Sequence, residues 1–66
     1  MIAIGDLVIF NDPQYKFLYE QVAVCAGGEE HGVNPYHVLT GVLAGRIYWH
    51  EPKFIKKLPT IRDFLC

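Results

Sequence analysis

Turn-forming residues punctuate this chain at short intervals, and that spacing limits what it can become. They are Gly5-Asp6, "NDP" at 11–13, "GGEEHG" at 27–32, "NP" at 34–35, Gly41, Gly45, "EP" at 51–52 and Pro59. Glycine supplies backbone angles that other residues resist, proline blocks helix interiors, and Asn and Asp bond to their own backbone. The pieces left between these signals suit short strands better than long helices.

Those pieces carry strand composition. "LVIF" at 7–10 is apolar on both faces and rich in strand formers. Gly5 is placed to make the turn before it, and Asp6 to cap that turn through its side chain. "YEQVAVCA" at 19–26 alternates, which puts Val22, Val24 and Ala26 on one side. "YHVL" at 36–39 is a third strand. "RIYWHE" at 46–51 sets Ile47 and Trp49 on one face and Arg46, Tyr48 and His50 on the other. "KFIKKL" at 53–58 aligns Phe54 with Leu58, and "TIRDFLC" closes the chain as a helical turn or a last strand.

The pieces "IGDLVIF", "YEQVAVCAGG", "YHVL", "RIYWHEP" and "FIKKL" together resemble a small SH3-like β-barrel over residues 4–58. The resemblance implies an all-β, five-stranded barrel and no particular activity. The acidic loop cluster and paired exposed aromatics of a proline-rich-peptide binder are missing from the pattern, so that ligand does not carry over.

A helical parse competes. Asp12 as N-cap, Pro13 as first helical residue and Gly27 as stop frame a helix near 13–26. Asn34, Pro35 and Gly45 frame another near 35–44, with Val38, Leu39, Val42 and Leu43 on one face. "HGVNPYHVLTGVL" is similar to part of the helical N-terminal domain of Clp-type unfoldases, which would imply a small helical peptide-binding domain. Gly41 costs such a helix about 1 kcal/mol. The β-branched Val22, Val24, Val38, Thr40 and Val42 also disfavour it, so strands are preferred.

Size and charge bound the function. The chain of 66 residues is read as one domain, 1–66. Half of it is hydrophobic (52%), with nine aromatic rings, enough to fill a small core and leave some rings at the surface. The net charge of −1 selects for neither nucleic acid nor membrane. No run of residues is long and apolar enough to span a bilayer, and the start lacks the basic region of a signal peptide. Two cysteines, Cys25 and Cys66, are few for a disulfide-built secreted domain. A cytoplasmic location is expected, with Cys25 buried and Cys66 reduced; a Cys25–Cys66 bridge is the alternative.

Catalytic chemistry finds little support. His31, His37 and His50 lack the close spacing by which one turn presents two ligands to a metal, so neither metal nor cofactor is expected. Glu29-Glu30-His31 reads as a solvated loop. Cys25 could pair with His37 or His50, but "VAVCA" is an apolar setting that quiets a thiol. No phosphate-binding glycine motif occurs. The chain is therefore read as a non-enzymatic binding module.

Two surfaces are candidates. Tyr15, Phe17 and Tyr19 alternate with Lys16, Leu18 and Glu20, so three rings point one way and Leu18 the other. With Tyr48 they form the expected contact surface for another protein, or for a second copy. The alternative is weak nucleic-acid binding through Arg46, Tyr48, Lys53, Lys56 and Lys57, because small barrels stack bases on rings beside phosphate-tracking cations. The simpler reading of that second set is solvated edge lysines around a core Trp49 and Phe54.

Overall fold

The computed structural model describes residues 2–59. Its elements are β1 (Leu7–Phe10), β2 (Val22–Cys25), β3 (Asn34–Val38), β4 (Ile47–His50), a 3-10 turn (Pro52–Phe54) and β5 (Ile55–Lys57). The chain is all-β, and no α-helix occurs among the described residues. The helices framed near 13–26 and 35–44 are thus replaced. Their C-terminal and N-terminal parts respectively are β2 and β3, and residues 13–20 are turns. Glu20 takes a positive φ of 63°, which ends any helical path there. The closing segment "TIRDFLC" lies outside the described residues.

One antiparallel sheet holds all five strands in the order β4-β3-β2-β1-β5. A flat sheet would set β4 and β5 about 19 Å apart, at roughly 4.8 Å per neighbour. Only Glu51 and the 3-10 turn join them, and a 3-10 turn rises just ~2 Å per residue. The sheet must therefore curl until its two ends approach. The rings of His50, at the end of β4, and Phe54, just before β5, lie 5.7 Å apart between centroids. The amide of Asn11, after β1, donates to the carbonyl of Phe54 at 2.8 Å and ties the turn to the far side.

Curling closes the inner face over Val8, Phe10, Leu18, Ala23, Cys25, Tyr36 and Val38, which are all buried. Register makes these residues meet: Val8 lies opposite Ala23, Ala23 opposite Val38, and Cys25 opposite Tyr36. The rings of Phe10 and Tyr36 meet edge to face at 5.6 Å. Such a pair contributes about 1 kcal/mol beyond the area it buries.

Of the two apolar faces of β2, the smaller one is buried. Ala23 and Cys25 point inward, while Val22 and Val24 lie half-buried on the outer face beside Ile9 and Leu7. In β4 the outer face is more exposed. Tyr48 and His50 turn toward the core, and Ile47 and Trp49 stand 53% and 46% exposed. Trp49 is not a core residue. The opening turn matches its sequence reading. Gly5 has a φ of 91°, and Asp6 closes the turn by accepting the Ala3 amide on Oδ2 at 2.7 Å.

Candidate functional site

The loop between β1 and β2 builds the site. Its base is a bulge, with Phe10 bonded through its amide to the Gln21 carbonyl and through its carbonyl to the Glu20 amide. Leu18 is its buried anchor, 1% exposed. Two successive turns, Asp12–Tyr15 and Tyr15–Leu18, then lift Tyr15 and Phe17 to the surface.

Asp12 orients this loop. It is only 3% exposed, and its two carboxylate oxygens have separate partners. Oδ1 accepts the Gln14 amide at 3.1 Å, the side-chain-to-backbone bond that Asp favours in turns. Oδ2 lies 3.1 Å from Nε2 of His50, itself 8% exposed. A buried pair of this kind fixes the loop against β4 across 38 residues of sequence. Asp12 was framed above as a helix cap; it caps a turn and grips a strand instead.

Around that pair the rings form a connected set. His50 meets Tyr15 at 5.4 Å, Tyr15 meets Phe17 at 6.1 Å, and Phe17 meets Tyr48 at 6.3 Å, all edge to face. Phe10 backs the set from the core, 6.3 Å from Tyr48 and 6.1 Å from His50. Tyr15 and Phe17 remain 38% and 46% exposed, and Tyr48 is half-buried beneath them. Burial pushes the Tyr48 phenol above its ordinary range, with Tyr15 and Asp12 adding to the shift. Tyr48 is therefore neutral at physiological pH, and its hydroxyl is a hydrogen-bonding group rather than a charge.

Of the four aromatic residues singled out by sequence, the structure brings three together. Tyr19 stands apart. It lines a shallow depression with Ile9, Asn11, Lys56 and Leu58. The segment is a pair of turns and not a strand, so alternation does not hold the three rings on one side. Two members of the patch, Asp12 and His50, were missed as a pair. Each is an ordinary polar residue in sequence, and only the fold reveals that they are buried together.

The basic residues of the alternative surface do not gather. Lys53 pairs with Glu51 at 3.3 Å and stands over the Phe54 ring, while Lys57 pairs with Asp6 at 3.5 Å. Lys56 and Lys57 are successive strand residues on opposite faces. Arg46 precedes β4, at the opposite end of that strand from Lys53.

The remaining candidate groups are also accounted for. The Cys25 thiol is buried and donates to the Gly27 carbonyl at 3.3 Å, while His37 is exposed on the outer face of β3. Cys66 lies outside the described residues. Among the described residues, no three His, Cys, Asp or Glu side chains converge as a metal site would require. Again among those residues, no helix is long and apolar enough to cross a membrane. A larger cleft of about 770 Å³ opens at the other end of the sheet, between Ile2, Ile4, Gly27, Gly28, Pro52 and Lys57. It is separate from the aromatic patch. Comparison with protein-family models, curated proteins and solved structures finds no match to this chain.

Proposed function

We propose that this chain is an SH3-like, non-enzymatic binding module that contacts another protein through Tyr15, Phe17 and Tyr48. The strand order, with a meander of four strands and a 3-10 turn leading to a fifth beside the first, supports the SH3-like reading. The contact surface rests on one observation. A loop carrying two exposed rings is held rigid from below by the buried Asp12–His50 pair. Rings that are exposed and already immobilised lose little freedom on binding, which is why aromatic residues dominate interface energetics. The patch is a shallow surface rather than an enclosed cavity, a shape suited to a peptide or a protein. Tyr19 belongs to a different surface and is not part of this reading.

Peptides selected from a random library on the immobilised chain test it. The bound peptide shifts the backbone resonances of Tyr15, Phe17 and Tyr48. Phe17→Ala weakens it by about tenfold or more, as expected of an interface anchor, while Tyr19→Ala leaves affinity essentially unchanged. Selected peptides that ignore Phe17→Ala and Tyr15→Ala overturn the proposal. Tight, salt-sensitive binding of an oligonucleotide that depends on Lys53 and Lys56 would favour the nucleic-acid reading instead.

A further inference from the structure

The two edges of the sheet are guarded very differently. At one edge, β5 has only three residues, two of them lysines. Short length and lysine are devices that keep an edge from pairing with another chain. At the other edge, β4 reads Ile-Tyr-Trp-His, with no lysine, and a proline follows both strands at the same distance.

Backbone geometry shows which groups that edge offers. Val38 donates to the Arg46 carbonyl just before β4 at 2.9 Å, so Tyr48 and His50 are the β4 residues that turn their backbone groups toward β3. The intervening residues, Ile47 and Trp49, therefore turn their N–H and C=O groups outward. Among the described residues, these groups have no hydrogen-bond partner. Their side chains are also the exposed apolar ones of the outer face. An open backbone ladder and an apolar stripe thus coincide on the same two residues.

We infer that β4 pairs antiparallel with β4 of a second copy of this chain, joining the two sheets into one. The sequence of the strand is complementary to itself. Two-fold pairing about Tyr48 bonds Ile47 of each copy to Trp49 of the other, through both N–H and both C=O groups of every pair. It also places an aromatic beside a β-branched side chain twice on the outer face, a favoured cross-strand combination. Charge selects the antiparallel direction. Arg46 lies at the start of the edge, and Glu51, just past its end, is already paired with Lys53. Antiparallel copies set the two Arg46 side chains at opposite ends of the seam, while parallel copies would place them side by side. The seam adjoins the patch at Tyr48 but is made by the backbone of Ile47 and Trp49, so it does not depend on what Tyr15 and Phe17 bind.

Sedimentation velocity of the full chain, from micromolar to millimolar concentration, tests the pairing. A concentration-dependent dimer is expected. Ile47→Pro removes an outward N–H that β3 does not use, and Trp49→Lys installs the guard that β5 already has. Each raises the dimer dissociation constant about 30-fold or more, since the proline deletes two backbone bonds per dimer, with an unchanged β-type circular-dichroism spectrum. Should Ile47→Pro fail to fold, Trp49→Lys decides alone. Phe17→Ala leaves the dimer intact. A chain that stays monomeric at millimolar concentration overturns the inference. So does a dimer that survives the edge variants, or one that Phe17→Ala abolishes while they do not.

Discussion

Two loops that join β2 to its neighbours are held in opposite ways. The loop from Asn11 to Gln21 is fixed by side chains: buried Leu18, the rings of Tyr15 and Phe17, and the Asp12 carboxylate on His50. The loop from Ala26 to Val33 is shaped mainly by its backbone. Glu30 and Val33 exchange both amide bonds, at 2.7 and 3.0 Å, around His31 and Gly32, which have φ of 52° and 83°. That is a two-residue hairpin turn with both central residues left-handed. Side-chain fixation presents rigid rings to solvent, whereas backbone fixation presents only a tight corner. The proposed contact surface accordingly lies on the first loop.

The contrast breaks most sharply at Asp12. Replacing it with alanine leaves His50 buried without its partner and is expected to cost about 3 kcal/mol. Glu29→Ala and Glu30→Ala, in the other loop, stay within roughly 0.5 kcal/mol, the range of ordinary surface changes. Urea unfolding measures all three, and a cost at Asp12 no greater than at Glu29 would remove the distinction. The second loop should fail through its backbone instead. Gly32→Ala forces a side chain into the left-handed region and is expected to destabilise by roughly 1–2 kcal/mol. His31→Asn should be neutral or slightly stabilising, because Asn tolerates that region better.

A gain rather than a loss is expected at Tyr36, which pairs with Cys25 at the end of β2, next to the second loop. Its hydroxyl is fully buried and finds no hydrogen-bond partner among the described residues. Burial, then the nearby Cys25 and Glu29, pushes its pKa up to about 12. Tyr36→Phe should therefore preserve stability or raise it by up to about 1 kcal/mol, since an unsatisfied polar group is removed. The raised pKa also sets a sign. The neutral phenol is favoured in the folded state, so its contribution is complete below pH 10 and is lost as pH rises from about 10 to about 12. In Tyr36→Phe that part of the alkaline loss disappears, which paired unfolding curves on either side of pH 10 would reveal.

Much of the fold is legible in local chemistry. Gly5 and Asp6 announce the first turn, and Leu7–Phe10 is a strand with the boundaries its composition indicates. Leu18 is recognisable as an anchor because polar or ring-bearing neighbours flank it. The patch is harder to see. Tyr15, Phe17 and Tyr48 stand out as rings, but nothing local separates Tyr19 from them, because residues 13–20 are turns and alternation has no force in a turn. The Asp12–His50 pair spans the chain and leaves no local trace.

The number and rough placement of the strands followed from the sequence alone, since glycine, proline and asparagine act on the backbone within a few residues of themselves. Which face of each strand entered the core was decided only in three dimensions. Along β1 and β2 both faces are apolar, so alternation offers two equivalent answers. Along β4 the larger Trp49 is left outside, while Tyr48 and His50 turn inward to meet Phe10 and Asp12. Side-chain hydrophobicity is a property of one residue, but the inside of a curled sheet exists only once distant strands have met. The residues that fit it are those whose partners arrive from elsewhere in the chain.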